Sequence, residues 1–202
     1  MIGRKPEGYK DLLAYQKAAA LQEENLKLTI LFPKKFSWLK EQMDKSGRSG
    51  TKNIIEGWKR NSTSEYFTFL GFSIAAIEEL KDDCADIAKG LYPELPITPI
   101  TPFLNSQLEK LKFYPLDVSL PPTVQLYLRC KEALMLFHKL QQSLDQKMTA
   151  DKTLSVSEMS RRHLKKTEKA EREEEGYLAE QVKKAGMVRL KDGRIVKREE
   201  WD

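Results

Sequence analysis

Leu70, Ser73, Ile77, Leu80, Cys84 and Ile87 recur at alternating intervals of three and four residues. An α-helix advances about 100° per residue, so such a row forms one narrow seam, the pattern of helices packed lengthwise at a shallow angle. The same rhythm returns at Tyr127, Cys130, Leu134, Phe137, Gln141 and Leu144. A helix cannot bury its own seam, so each of these must lie against others. Two more helices are expected upstream. Residues 9–32 are rich in Ala, Leu, Lys, Glu and Gln, hold no Gly or Pro, and stop at Pro33. A second helix is predicted from Trp38 to Trp58, with Leu39, Met43, Gly47, Gly50, Ile54 and Trp58 on one side.

Punctuation fixes the remaining boundaries. Ser62-Thr63-Ser64-Glu65 is a capping box for the third helix, and Gly90 suits its left-handed C-terminal exit. Seven of the nine prolines fall between Leu91 and Pro122, and Pro93, Pro96, Pro99 and Pro102 recur every third residue. That is the polyproline II period, so an extended, semi-rigid spacer is expected there in preference to a ligand for an aromatic groove, with a short helix within Phe103–Phe113. The prediction is an all-α fold: an antiparallel up-down four-helix bundle over 1–148, with a proline-rich insertion at 91–122 between the third and fourth long helices.

Beyond this lies a charged tether or helix at 149–176. Residues 161–175 carry eleven charged side chains, with i,i+4 pairs expected at Glu158–Arg162 and Glu168–Arg172. Residues 177–202 form a suffix in which Asp192-Gly193 separates two short β-prone runs, a hairpin signal with a two-residue type I′ turn.

Chemistry is hard to place in this chain. The two cysteines, Cys84 and Cys130, both sit in apolar seams and are too few for a disulfide framework or a four-ligand metal site. They read as reduced, buried thiols. His138 and His163 stand alone on helical stretches, and neither follows a Glu by three residues. Gly47-Arg48-Ser49-Gly50-Thr51-Lys52 has two residues between its glycines where a phosphate loop needs four, so it reads as a place where two helices approach closely. No catalytic residue, metal ligand or cofactor is predicted. There is no apolar run of the roughly 18–20 residues a membrane span needs and no signal-like N-terminus, so no membrane partner and a cytoplasmic location are expected.

The charge is more informative by segment than in total. The net +5 is the remainder of +6 over residues 1–61 and −5 over 62–122, with +2 in each of 123–148 and 149–202. Lys45, Arg48, Lys52 and Lys59 fall within about 60° of one another, opposite the apolar side of the second helix. Arg60, Lys10 and Lys17 extend the row, and Glu56 interrupts it. Fixed cations in a row suit phosphates, so these seven residues are the candidate RNA-binding set, with contacts dominated by the RNA backbone. Glu78, Glu79, Asp82, Asp83 and Asp86 are expected on the outer face of the third helix.

Several short motifs carry a resemblance. Gly8-Tyr9-Lys10-Asp11-Leu12, Phe32-Pro33, Gln42-Met43, Arg48-Ser49, Asn53-Ile54-Ile55-Glu56-Gly57, Thr63-Ser64-Glu65-Tyr66 and Glu78-Glu79-Leu80 are similar to a bacterial four-helix-bundle family. It includes proteins encoded in intervening sequences of large-subunit ribosomal RNA genes and the accessory variability determinant of diversity-generating retroelements. The resemblance covers about residues 8–90 well and the fourth long helix loosely. It implies a non-enzymatic, ring-like homopentamer with a basic surface and, in the retroelement branch, binding to a reverse transcriptase and structured RNA. Arg48, Asn53, Glu56 and Gly57 match the family pattern, and structural roles at helix ends or neighbouring subunits are expected for Asn53 and Glu56. The expected function is a homo-oligomeric RNA-binding adaptor. The alternative is a protein-only scaffold that docks an acidic partner without nucleic acid.

Overall fold

The computed structural model describes residues 7–152, 156–189 and 195–197. It is mostly helical, with a small antiparallel hairpin near the C-terminus. Two compact units divide at 150/151, the larger being Tyr9–Ala150.

In the larger unit, α1 spans Leu13–Thr29, α2 Ser37–Lys59, α3 Thr63–Ala88, the short α4 Asn105–Lys110, and α5 Pro122–Lys152. The first helix is shorter than residues 9–32. Gly8–Asp11 forms a separate 3₁₀ turn before an extended Leu12. After Thr29, the N–H groups of Leu31 and Phe32 bond three residues back, because the residue before a proline is pushed out of the α conformation.

α3 opens as the capping box requires at one of its two bonds. The Ser62 hydroxyl accepts from the Glu65 N–H at 3.0 Å, but the Glu65 carboxylate takes the Ser62 hydroxyl proton at 2.9 Å and not the Ser62 backbone N–H. The helix closes on Gly90 at φ +83°, with the Leu91 N–H reaching back to the Asp86 carbonyl.

Every position of the α3 seam is buried, and so is every position of the α5 seam except the half-buried Gln141. The helices pair antiparallel. Along α2 and α3, Gln42 meets Asp83 and Ser46 meets Glu79. Between α1 and α2, Thr51 bonds Gln22, while Asn25 and Thr29 both donate to Asp44. Between α1 and α5, Lys17 pairs with Glu132 and Glu24 with Arg129. Cys84 on α3 and Cys130 on α5 are free and buried, and burial, with Cys130 adding to it, pushes the Cys84 thiol well up.

Gly50 and Gly57 are where α2 and α3 come closest. A Cβ on Gly50 would press on the Ile77 side chain, with Cγ1 at 2.9 Å; one on Gly57 would lie 2.8 Å from Phe69 Cβ. Gly47 differs from the expectation, since a Cβ there meets nothing nearer than 3.6 Å.

The proline segment is not an extended strut. Leu95 and Thr98 donate backbone bonds to the carbonyls three residues before them, and the Thr98 hydroxyl donates to the Tyr92 carbonyl at 2.6 Å. A polyproline II helix has no internal hydrogen bonds. Here the apolar residues between the prolines decide the path: Leu95 and Ile97 are buried in the core, which requires the backbone to turn back. α5 holds the insertion by its backbone. Thr123 donates to the Ile97 carbonyl at 2.6 Å, and Lys131 donates to the Glu109 and Leu111 carbonyls at 3.0 and 3.3 Å.

The second unit contains α6, Val156–Lys184, and strands β1 (Met187–Arg189) and β2 (Ile195–Lys197). The ion pairs along α6 include Lys169–Glu173 and Glu180–Lys184. The Arg162 side chain, and with it the Glu158–Arg162 pair, lies outside the described residues. The Asp192-Gly193 turn also lies outside them. The strands pair Arg189 with Ile195, one residue away from the Arg189–Val196 register that a two-residue turn at 192–193 sets.

Candidate nucleic-acid interface

α2 presents its apolar side inward because Leu39, Met43, Ser46, Gly47, Gly50, Thr51, Ile54 and Gly57 are all buried. The opposite face follows from the same periodicity. Lys45, Arg48, Lys52 and Lys59 are all exposed, in a row about 21 Å long at 1.5 Å rise per residue. Arg48, Lys52 and Lys59 have no ion-pair partner among the described residues. Lys45 lies 3.6 Å from Glu41 one turn earlier, a solvent-exposed contact that ties it only loosely. Glu56 is exposed beside them.

The other three candidates differ. Arg60 is exposed at the end of α2, with its guanidinium 4.6 Å from the centre of the Phe69 ring. Lys10 is exposed on the 3₁₀ turn before α1, where its carbonyl accepts from Gln16 at 2.9 Å. Lys17 does not join the row. It is half-buried and paired with Glu132 at 2.7 Å, so it serves the α1–α5 contact.

Asn53 lies inside α2, away from its ends, and Glu56 lies in its last turn. Arg48 and Glu56 face solvent, whereas Gly57 supplies the close approach to α3.

Of the acidic residues of α3, Glu79 and Asp82 are exposed as expected, while Glu78, Asp83 and Asp86 are half-buried. Glu79 accepts the Ser46 hydroxyl at 3.1 Å, and Asp83 accepts Gln42 at 2.9 Å. Burial pushes the Asp83 carboxyl up to about 6; Gln42 opposes this, while Asp86, Glu79 and Asp82 add to it. At the α1–α2 contact, Asp44 gathers Asn25 at 3.1 Å, Thr29 at 2.7 Å and Lys40. Lys40 is therefore neutralised and does not contribute to the basic row.

Among the described residues, no group of three or more His, Cys, Asp or Glu is placed to hold a metal ion. No helix there is long and apolar enough to cross a membrane. His138 is exposed on α5, and the His163 side chain lies outside the described residues.

The segment from the 3₁₀ turn through α3, carrying all seven candidate cations, is also the part that compares with a known family. Residues 10–91 match the 23S rRNA-intervening sequence protein family. This agrees with the resemblance carried by Arg48-Ser49 and Asn53-Ile54-Ile55-Glu56-Gly57. The family match ends at Leu91, where the proline-rich segment begins, so α5, α6 and the hairpin lie beyond it. Comparison with curated proteins gives no match.

Sequence reasoning missed three features of this surface. Phe69 stacks under Arg60, Phe72 stands exposed beside Phe69, and Asp44 withdraws Lys40 from the basic face. Phe69 and Phe72 were legible in principle, because they fall outside the 70-73-77 seam and so must leave the centre of the core. Lys40 was also legible, as the residue one turn before an Asp.

Proposed function

We propose that this chain is a non-enzymatic RNA-binding adaptor. In this reading α1, α2, α3 and α5 form an antiparallel up-down four-helix bundle that assembles as a homo-oligomer, a pentamer by the family resemblance. The exposed face of α2 meets structured RNA, with a reverse transcriptase as the protein partner suggested by the retroelement branch. Residues 1–148 act as the bundle module, 149–176 as a charged linker and 177–202 as the suffix.

The observation that carries this reading is the row of Arg48, Lys52 and Lys59, exposed and without ion-pair partners among the described residues. A row of cations whose charge is not neutralised within the protein gains by displacing counterions from a polyanion. The family name, which refers to ribosomal RNA, supports the same partner class. Lys45, Arg60 and Lys10 flank the row, and Lys17 has a structural role. Binding of this kind is backbone-dominated and weakly sequence-selective.

Gel-shift titration of the parent and of an Arg48→Gln/Lys52→Gln/Lys59→Gln variant at two salt concentrations tests it. Each phosphate contact contributes about 0.7–0.9 to the slope of log affinity against log salt, so the variant should bind more weakly, with a slope smaller by about 2–3. A variant that binds as tightly as the parent refutes the interface. A parent that binds no RNA at either salt refutes the function and leaves the protein-only scaffold.

A further inference from the structure

Two large aromatic residues stand exposed on the two helices of this surface: Trp38 on α2 at 52% and Phe72 on α3 at 53%. A single exposed aromatic side chain is ordinary, so its neighbours decide whether it matters. Trp38 rests edge-on against Tyr92, 6.0 Å away, and the Tyr92 hydroxyl is pushed up by burial and by the charges of Asp86 and Asp83. Lys35, beside them, is already paired with Glu94. A polyanion arriving there meets carboxylates.

Phe72 has the opposite surroundings. Its ring meets Phe69 edge-to-face at 5.8 Å and 83°, and the Arg60 guanidinium lies over Phe69 at 4.6 Å. Lys59 precedes Arg60 and has no ion-pair partner among the described residues. Of the exposed carboxylates nearby in sequence, Glu65 is engaged with the Ser62 hydroxyl, and Glu56, one turn before Lys59 and Arg60, is the single acidic neighbour of the two cations on α2. Phe69 is fixed from below, because Gly57 lets α3 approach α2 at its level. The result is an aromatic shelf with a fixed inner ring, an exposed outer ring and the Arg60 cation at its edge, with Lys59 next to Arg60 in the chain.

We propose that this shelf binds an unpaired nucleotide of the RNA, its base stacked on Phe72 and its flanking phosphates held by Arg60 and Lys59. Stacking on an aromatic ring needs a base freed from its helix, whereas cations alone accept duplex and single strand alike. The shelf therefore adds a preference for loops, bulges or ends to an otherwise shape-blind basic face. This rests on the RNA reading above and sharpens it to a class of RNA.

The test uses the full chain, a fluorescent oligonucleotide without base pairing, and a blunt duplex of the same charge. Phe72→Ala should weaken the unpaired probe roughly five- to hundredfold, leave its salt slope unchanged, and leave the duplex affinity unchanged. Phe72→Trp should retain binding. A 2-aminopurine placed in the unpaired probe should be quenched on binding the parent and not on binding Phe72→Ala. Light scattering of each variant reports the mass of the assembly.

If Phe72→Ala binds the unpaired probe within twofold of the parent while the Arg48/Lys52/Lys59 variant is weakened, the shelf is refuted and the RNA function stands. If Phe72→Ala changes the assembly mass, Phe72 is a contact between subunits and the shelf is refuted. If the parent binds neither probe, the RNA function falls and the shelf falls with it.

Discussion

Gly57 gives the sharpest mechanical test of how α2 and α3 meet. Replacing it with Ala adds one methyl group, whose carbon would sit 2.8 Å from Phe69 Cβ and 2.5 and 3.2 Å from two ring carbons of Tyr66. Carbon atoms settle at about 3.5–4.0 Å, so the overlap approaches 1 Å at two places. Phe69 Cβ is fixed to the backbone of α3, and Tyr66 is 2% exposed, leaving its ring no empty space to enter. Overpacking of this kind costs about 1–3 kcal/mol, while Ala gains up to about 1 kcal/mol over Gly in a helix and less near its end. The net expectation is a loss of about 1–2 kcal/mol. Gly47→Ala makes the same chemical change ten residues earlier in α2, but its methyl meets only ordinary contacts at 3.6–3.8 Å. It should therefore gain about 0.5–1 kcal/mol. Urea denaturation of both variants at one protein concentration, followed by circular dichroism, compares them without interference from assembly. The reasoning fails if Gly57→Ala is as stable as Gly47→Ala, because the same substitution would then have ignored the difference between a nearest contact of 2.5 Å and one of 3.6 Å.

Two further perturbations test local claims. Asp83 binds a proton more readily in the folded chain than in the unfolded chain, so between about pH 4 and pH 6 the folded state holds more proton and this group's contribution to stability falls as pH rises. Asp83→Asn keeps an oxygen for Gln42 and removes the buried charge, so it should stabilise the protein at pH 7 and leave it unchanged near pH 4; denaturation at both values checks this, and an equal effect at the two would contradict it. Ser62→Ala removes the acceptor for the Glu65 N–H and should cost about 1 kcal/mol in thermal or urea unfolding, with Ser62→Asn restoring most of it.

What could be read from the sequence was set by periodicity. The seams at 70–87 and 127–144 were legible because a 3-4 rhythm leaves an apolar row no other place to go, and both are buried in α3 and α5. The outward row at 45, 48, 52 and 59 followed from the same geometry. Prolines at 93, 96, 99 and 102 misled because a three-residue repeat also suits a chain of tight turns, and only the burial of Leu95 and Ile97 distinguishes the two. Sequence reasoning placed the close approach at Gly47 and Gly50. Gly50 and Gly57 are the tight pair, seven residues apart on the same side of α2, a spacing that was there to be seen. Asp83 was assigned to solvent because its polar partner, Gln42, belongs to another helix. The pairing of Lys17 with Glu132 was illegible for the same reason.

α5 grips the insertion through main-chain oxygens, those of Ile97, Glu109 and Leu111. A carbonyl oxygen is the same atom whatever side chain its residue carries. The grip is therefore indifferent to spelling at the exposed Glu109, whereas Leu111 also packs its side chain against the core. The tolerance is one-sided: Lys131, whose ammonium is held down in pKa chiefly by burial, anchors two of those oxygens, and Thr123 anchors the third. Drift belongs to exposed positions of the held segment such as Glu109, and constraint to the two residues of α5 that hold it and to the apolar residues the segment buries.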